Sequence, residues 1–248
     1  IVSEVNGVPK LALPSVASIT QNSAVLGATV ISGSGSALSA RGTVYNTTGG
    51  VSATNNPLND GSTNIGTFTH LRNGLNAETR YYFAGFATNT SGTGLTSESS
   101  FYTRSKAPLS AASGLTATPV TFSSVALAWN NASFPANGAT KYGYMVIAST
   151  GTPSIIASPS GLPPASVISN GTLSAIIESS SPALPPATAT ATGLSGNTLY
   201  NFAVIPFTWN GVNTETYNYN TNNIPIASAT TPRTKYTWAN AGSGSWNI

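Results

Sequence analysis

The sequence predicts an all-β protein built from two β-sandwich domains in tandem, with almost no helix. Short apolar or alternating runs bounded by Gly, Asn, Pro and Ser recur along the 248 residues, as the strands of a sandwich or barrel do. The pattern Gly-Leu-x-x-x-Thr-x-Tyr occurs at residues 74–81 and again at residues 193–200. A fixed motif repeated at domain-sized spacing indicates that each copy performs the same structural task in its own domain.

Six segments carry the residue pattern of strands, and no segment carries the periodicity of an amphipathic helix. They are residues 23–30, 42–46 and 81–88 in the first half, and residues 124–129, 142–148 and 199–207 in the second. Turn-forming residues separate these segments, which favours short strands joined by loops.

The strand spacing and the doubled motif divide the chain into two domains joined by a linker. The predicted units are an N-terminal extended segment 1–13, a first sandwich 14–104, a linker 105–113, a second sandwich 114–232, and a C-terminal extended segment or start of a further module at 233–248. Pro108 and the charged residues before it interrupt the strand pattern, so we expect a semi-rigid linker.

Residues 151–189 form a long insertion in the second domain that is rich in Pro and Ser. A connection of that length is uncommon in a compact domain unless it has a function. The sequence leaves open whether the insertion is an ordered excursion between the sheets or a poorly ordered segment.

The composition excludes several classes of function. Only 6% of the residues are charged, against about 25% in typical soluble proteins, so the surface must consist of Ser, Thr, Asn, Gly and Ala. The net charge of +3 is spread along the chain, which gives too weak a field for nucleic acid. The sequence has no cysteine, and no apolar run approaches the roughly 20 residues of a membrane span. We therefore expect no nucleic-acid partner and no membrane insertion.

The repeated motif predicts a tyrosine corner in each domain. A tyrosine at the start of a strand buries its ring and turns its hydroxyl back onto upstream backbone, which fixes the crossover between the two sheets. Leu75 and Tyr81 are the corner residues of the first domain, and Leu194 and Tyr200 are those of the second.

With these motifs the two halves resemble tandem fibronectin type III domains, which are sandwiches of the immunoglobulin kind. In that family Leu-x-x-x-Thr-x-Tyr marks the corner between strands E and F, and Thr79 and Thr198 complete the match here. The buried tryptophan of the family's strand B is matched by Trp129, whereas the equivalent position of the first half falls near Ala28 or Thr29. The resemblance implies that Trp129 is a core residue and that the first domain is the more divergent copy.

The resemblance extends to a narrower group of proteins. The stretches ITQNSAVLGATV and YMVIASTGTPSIIASPSG are similar to fibronectin-like repeats of large secreted and surface proteins of Bacteroidota, and residues 236–246 resemble the opening of a further module. Such proteins generally leave the cell through a type IX secretion system. The resemblance implies an extracellular or cell-surface location.

The titratable residues do not form a recognisable catalytic set. A glycosidase needs two carboxylates about 5–9.5 Å apart, but the six acidic residues are separated in sequence. A Ser-His-Asp triad would have to use Asp60 and His70. In residues 55–64 an Asx-rich turn is favoured over a calcium site, because only one carboxylate is present. We expect no enzymatic activity, no catalytic residue, no metal and no cofactor.

Aromatic residues supply the first candidate contact surface. Strand alternation from an inward Tyr81 predicts an exposed stripe on the first domain that could contact a neighbouring domain, subunit or sugar. Its members are Tyr45, Tyr82, Phe86 and Tyr102, with Arg41 and Thr43 beside them. Exposed tyrosines are common on ordinary surfaces, so a purely structural role remains the alternative.

The loop at residues 207–223 supplies a second candidate. Trp209, Tyr217 and Tyr219 lie there among Asn and Thr residues. Flat rings cover the apolar faces of sugars while amides bond sugar hydroxyls, so this composition resembles a polysaccharide-binding platform.

The two ends of the chain supply a third candidate. Residues 1–13 and 235–248 are partly apolar and read as extended, as segments that pair with the sheet edge of another subunit do. They could equally be the stubs of adjoining domains.

These observations favour a non-catalytic spacer or adhesive segment of a large extracellular protein. The first alternative is a subunit of a self-assembling filament that uses its terminal strands and aromatic face. The second is an accessory carbohydrate-binding module. The expected partners are other protein domains, identical subunits or polysaccharide.

Overall fold

The computed structural model of the protein describes residues 7–136, 140–181 and 187–234. Strands dominate these ranges, as the sequence predicts. The helical elements are one α-helical turn, α1 (Pro164–Val167), and one 3₁₀ turn (Thr214–Thr216). Among the described residues no helix is long enough to cross a bilayer.

The first domain is a sandwich of two antiparallel sheets. Its strands are β1 (Lys10–Ala17), β2 (Ser23–Ser32), β3 (Ala40–Asn46), β4 (Leu58–Asn59), β5 (Gly66–Asn73), β6 (Arg80–Asn89), β7 (Gly92–Leu95) and β8 (Ser99–Tyr102). One sheet has the order β1-β2-β5, and the other has the order β4-β3-β6-β7, with β8 also paired to β6. β1 begins at Lys10, within the segment assigned from sequence to the N-terminal extension.

The second domain repeats this plan with an insertion. Its strands are β9 (Ser113–Thr121), β10 (Ser124–Asn130), β11 (Lys141–Ser149), β12 (Ser154–Ile155), β13 (Ile168–Asn170), β14 (Thr172–Ser179), β15 (Thr188–Ala191), β16 (Leu199–Trp209), β17 (Asn218–Tyr219) and β18 (Ile226–Thr230). One sheet has the order β9-β10-β15 and the other β14-β11-β16-β17, with β18 also paired to β16. The two halves are therefore tandem immunoglobulin-like sandwiches of the fibronectin type III kind.

The core of each domain lies between its two sheets. In the first domain Tyr81, Phe83 and Phe101 pack with Leu26 and Leu75. In the second domain Trp129 is 5% exposed and meets the Tyr144 ring edge-on, with the ring centroids 5.2 Å apart. Burial of such aromatic rings supplies a large share of the hydrophobic stabilisation of a sandwich.

The insertion of the second domain covers the outer face of the larger sheet. Met145, Ile147, Ile205 and Phe207 point away from the sandwich core, yet each is 1% exposed or less. The covering residues that pack against them include Ile155, Ile156, Val167 and Ile168. The first part of the insertion, which contains β12, α1 and β13, is therefore an ordered cap that creates a second hydrophobic core, whereas its later part supplies β14 and the start of β15 to the two sheets.

Threonine and alanine, rather than charged residues, cover the outer face of the smaller sheet in the second domain. Strands β9, β10 and β15 contain no Asp, Glu, Lys or Arg. In the middle of this face the threonines of β9 and β15 flank the alanines of β10: Thr116, Thr118, Ala126, Ala128, Thr188 and Thr190. Val120, near the end of β9, is also exposed. The solvent-facing side of this antiparallel sheet thus carries hydroxyl and methyl groups and no formal charge.

Candidate functional site: the interdomain junction

The repeated motif forms the same hydrogen-bonded corner in both domains. In the first domain the Tyr81 hydroxyl accepts a hydrogen bond from the backbone N–H of Asn76 at 2.8 Å. In the second domain the Tyr200 hydroxyl accepts one from the N–H of Ser195 at 3.0 Å. The residue before the motif threonine has a positive φ in each copy, 55° at Glu78 and 53° at Asn197. The two corners therefore share backbone conformation as well as residues.

A second threonine, which sequence reasoning missed, closes each corner. The Thr103 hydroxyl donates to the carbonyl of Asn76 at 2.6 Å and accepts from the N–H of Thr79 at 3.0 Å. Thr231 makes the equivalent bonds to Ser195 and Thr198 at 2.6 and 3.0 Å. Each follows the last strand of its domain, and the recurrence of a Thr at that place is the only sequence signal of this role.

The corner of the first domain faces the second domain. Glu78, at the tip of the corner, accepts a hydrogen bond from the Ser105 hydroxyl at 2.5 Å. Its carboxylate also accepts bonds from the N–H and hydroxyl of Thr140 at 3.3 and 3.4 Å. A single carboxylate thus contacts the linker and the second domain together.

The linker is bonded to the second domain along its length. Ser105 is fully buried, its N–H donates to the carbonyl of Thr216 at 2.9 Å, and its carbonyl accepts from the Asn218 side-chain amide at 2.8 Å. The Thr208 hydroxyl donates to the carbonyl of Lys106 at 2.7 Å. Because buried backbone groups require such partners, the linker cannot leave the second domain without breaking several bonds at once.

The same linker is bonded to the first domain. The N–H of Ala107 donates to the Gln21 side-chain oxygen at 3.2 Å. Directly before the linker, the N–H of Arg104 donates to the carbonyl of Thr20 within the first domain at 3.0 Å. The Asn220 side-chain amide donates to the carbonyl of Pro108 at 2.9 Å from the other side. Residues 105–108 are therefore sandwiched between polar groups of the two domains.

Arg104 extends the junction to the insertion. Its guanidinium donates to the carbonyl of Glu215 and lies against Gly161, where a Cβ atom would come within 2.3 Å of the guanidinium carbon. Burial lowers the pKa of Arg104, and the charge of Glu215 opposes that shift. Gly161, with a φ of 89°, thus permits the close approach of the cation that ends the first domain.

A cleft lies beside the linker at the junction. It has a volume of about 450 Å³. Its walls come from both domains and from the linker: Gln21, Lys106, Ala107, Pro108, Leu109, Pro135, Tyr219, Asn220, Thr221 and Asn222. Clefts between domains are common places for ligand binding.

The aromatic stripe predicted on the first domain is not a continuous exposed surface. Tyr45 faces the core side, because it pairs with Phe83 in the β3–β6 register and packs edge-on against Tyr81 at 5.3 Å. Phe86 does point outward, but it is 5% exposed because Val51 and its neighbours cover it. The predictions that Tyr45 and Phe86 are exposed were wrong.

Arg41 and Thr43, predicted beside that stripe, are also buried, at 8% and 0% exposure. They share the inner face of β3 with Tyr45, so the prediction exchanged the inward and outward faces of that strand. Arg41 forms a 2.8 Å ion pair with Asp60, and the Thr43 hydroxyl is 2.6 Å from His70 Nε2.

What remains of the stripe is a half-buried tyrosine pair covered by a cation. Tyr82 and Tyr102 are both half-buried. The guanidinium carbon of Arg80 lies 4.8 Å from the centre of the Tyr82 ring and 5.9 Å from that of Tyr102. The arrangement is a cation–π contact that already uses the ring faces.

The aromatic residues of the 207–223 loop form a stacked ladder. The Trp209 and Tyr217 rings lie 4.6 Å apart at 8°, and the Tyr217 and Tyr219 rings lie 5.9 Å apart at 12°. Tyr217 and Tyr219 are 5% and 6% exposed, and the Tyr219 hydroxyl donates to the carbonyl of Leu162 in the insertion. They are core residues of the cap, so the prediction of a three-ring exposed platform was wrong.

Trp209 ends this ladder at the surface. It is half-buried, and its indole N–H donates to the Glu178 carboxylate at 2.8 Å. Burial raises the pKa of Tyr217, and the Glu178 charge adds to that shift. Trp209 is the member of the predicted platform that keeps ring surface in contact with solvent.

Asp60 and His70 do not lie together with a serine nucleophile in the described structure. One oxygen of Asp60 accepts from Arg41 and the other from the N–H of Ser62 at 2.9 Å. His70 bonds Thr43 inside the sandwich. Both side chains therefore have structural partners.

The predicted terminal strands lie mostly outside the described residues. Residues 1–6 and 235–248 are not described. Residues 10–13 belong to β1, which pairs with β2 of the same domain.

Comparisons with known proteins yield structural neighbours alone. No family model matches the chain, and no curated protein matches it. One similar structure is the FN1–FN3 domains of chicken CNTN1, with 12% identity, a TM-score of 0.38, and coverage of 92% of this chain and 69% of that chain. Another is a two-domain fibronectin type III segment of chicken tenascin, with 14% identity, a TM-score of 0.38, and coverage of 87% and 98%. The description of this chain as tandem fibronectin type III-like sandwiches rests on its own strand order.

Proposed function

We propose that the chain is a non-catalytic structural module of an extracellular or cell-surface protein, in which the two sandwiches act as one stiff spacer. The observation that carries the proposal is the linker, whose residues 105–107 are hydrogen-bonded to both domains. Linkers between independent domains are usually exposed and make few contacts. A linker that is bonded to both domains, with Ser105 and Pro108 buried, instead fixes the angle between the domains.

The sequence motifs support the proposed location. They resemble repeats of large secreted and surface proteins of Bacteroidota that use type IX secretion. The sparse charge and the Thr-covered sheet suit a module that displays other parts of such a protein, or that makes many weak contacts.

The test is to loosen the junction without unfolding either domain. Thr208→Val with Ser105→Ala removes the hydroxyls that bond Lys106 and Glu78. We expect small-angle X-ray scattering of the variant to show a broader range of domain orientations, while its circular dichroism stays unchanged. Thr96→Val is the matched control, because this buried hydroxyl bonds Gly85 and Ser97 within the first domain.

Two results would contradict the spacer. One is a flexible wild-type chain, and the other is a double variant that scatters like the wild type.

A second candidate is an adhesive contact with polysaccharide through Trp209. It is favoured by the half-buried indole at the end of the aromatic ladder, next to the exposed Glu178. Trp209→Ala should abolish retention on a polysaccharide column if this contact exists. Equal retention of the wild type and the variant would remove the candidate.

The third candidate, a filament subunit, depends on the terminal segments. Concentration-dependent filaments in electron micrographs would support it, and separate rods at all concentrations would exclude it.

A further inference from the structure

We propose that the cleft at the interdomain junction binds a saccharide unit that carries a carboxylate, such as a uronic-acid residue of an extracellular polysaccharide. This inference goes beyond the spacer. It relies on the proposed fixed junction only for the shape of the cleft.

The volume and position of the cleft suit a short sugar segment. Its volume of about 450 Å³ lies within the 300–1,000 Å³ range of small-ligand pockets. The first domain supplies one wall through Gln21, the linker supplies the base, and the second domain supplies the far wall through Pro135 and residues 219–222. A ligand there would contact both domains at once.

The base and the far wall of the cleft are partly apolar. Pro108 and Pro135 are buried lining residues, and Tyr219 is 6% exposed. Leu109 of the linker also lines the cleft and is 70% exposed, so it presents apolar side-chain surface to a ligand. An exposed leucine beside two prolines offers apolar surface that the C–H face of a sugar ring can cover.

The rim of the cleft is rich in hydrogen-bond donors. The Gln21 oxygen accepts from Ala107, which leaves the side-chain NH₂ of Gln21 to donate to a ligand. Both ends of the Asn220 side chain are used, by Pro108 and by the N–H of Asn222. The Asn222 side chain is exposed and makes no hydrogen bond within the described structure. A ligand with many oxygen acceptors satisfies this rim.

Lys106 sets the charge of the site. It is exposed, it is the only charged residue among the lining residues, and its ammonium group has no protein partner in the described ranges. One cation among amides and a hydroxyl matches one carboxylate per binding unit. A phosphate polyanion would instead require several cations.

The assay is a titration of the full chain by isothermal calorimetry with a tri-galacturonide. Cellotriose serves as the neutral probe of similar size. We expect saturable binding of the acidic sugar that weakens with added salt, and binding of the neutral sugar that is about tenfold weaker. Failure of the acidic sugar to saturate, or equal affinities for both sugars, would overturn the proposal.

The decisive variant is Lys106→Gln. The junction uses only the backbone carbonyl of Lys106, so this change removes the charge and leaves the linker bonds intact. We expect it to weaken acidic-sugar binding about tenfold and to abolish the salt dependence. Lys10→Gln is the matched control, because Lys10 is an exposed cation at the opposite end of β1 from the junction. If the two variants bind alike, the site is not at this cleft.

The spacer proposal and the sugar-binding proposal can be refuted independently of each other. A loose junction is detected by scattering of the unliganded chain, whereas an incorrect ligand assignment is detected by the titration. Asn222→Ala provides a second variant, because only its backbone N–H is used by the protein. This variant should bind both sugars more weakly than the wild type does. Unchanged affinity for both sugars would contradict the role of the rim.

Discussion

Replacing Tyr81 with phenylalanine removes the hydroxyl that holds the corner of the first domain. Tyr81 is 4% exposed, and its hydroxyl accepts the N–H of Asn76 at 2.8 Å. Leaving a buried donor without a partner costs about 1–3 kcal/mol. Because Asn76 itself is exposed, water can partly replace the bond. We therefore expect the free energy of unfolding of this domain to fall by about 1–1.5 kcal/mol.

Tyr200→Phe is the internal comparison. Tyr200 is only half-buried, and the corresponding bond from Ser195 is longer, at 3.0 Å, and exposed to solvent. Water can replace that bond more completely, so the expected loss is about 0.5 kcal/mol. Both substitutions remove the same hydroxyl group. The difference between their losses in the free energy of unfolding therefore measures how much burial strengthens the hydrogen bond.

Hydrogen exchange followed by NMR is the appropriate assay. The tryptophans of this chain are Trp129, Trp209, Trp238 and Trp246. None lies in the first domain, so tryptophan fluorescence does not report the unfolding of that domain directly. Amide exchange of residues in β6 gives the stability of the first domain, and exchange of the Asn76 amide reports the bond itself. A Tyr81→Phe variant whose stability changes by less than about 0.3 kcal/mol would refute the argument.

Two further predictions concern the first domain. Gly85→Ala should lower its stability by about 1–3 kcal/mol in urea unfolding, because the new Cβ would lie 2.2 Å from that of Ala28; an unchanged midpoint would refute the close contact. Burial, and then the charge of Arg72, lower the pKa of His70 below 6.5, while Asp60 opposes the shift. As the pH falls, the unfolded chain therefore takes up the proton before the folded chain does. The free energy of unfolding is highest above about pH 6.5 and decreases as the pH falls below it. His70→Gln should flatten that dependence, and an equally steep pH profile in the variant would exclude His70 as its source.

Local sequence patterns were enough to predict the sandwiches. All six predicted strand segments lie within strands of the structure. The doubled motif located both corners, because Gly, Leu, Thr and Tyr each have a backbone or packing role that does not depend on distant residues. Trp129 was placed in the core by the same family pattern.

The side-chain directions on β3 could not be predicted in the same way. Tyr45 is inward because β3 pairs with β6 in a register that sets it opposite Phe83. A shift of one residue reverses the faces of a strand, and no local residue fixes that register. The sequence also contains no direct signal that an arginine such as Arg72 would be buried, where it donates to the carbonyl of Thr43.

The burial of the 207–223 aromatic residues depends on a distant segment. In sequence, Tyr217 and Tyr219 resemble surface residues of a polar loop. In the structure the insertion folds over them, and the carbonyl of Leu162 accepts a hydrogen bond from the Tyr219 hydroxyl. The junction has the same origin, since Glu78 and Thr140 are far apart in sequence. Contacts of this kind follow from tertiary packing, which periodicity does not reveal.

The most direct test of the account measures the distance between the two domains. The chain has no cysteine, so Thr63→Cys in the first domain and Thr192→Cys in the second give two specific sites for spin labels. Both threonines are exposed. If the junction holds the domains in one orientation, double electron–electron resonance will give a single narrow distance distribution. A broad or multimodal distribution in the wild-type background would contradict the stiff spacer.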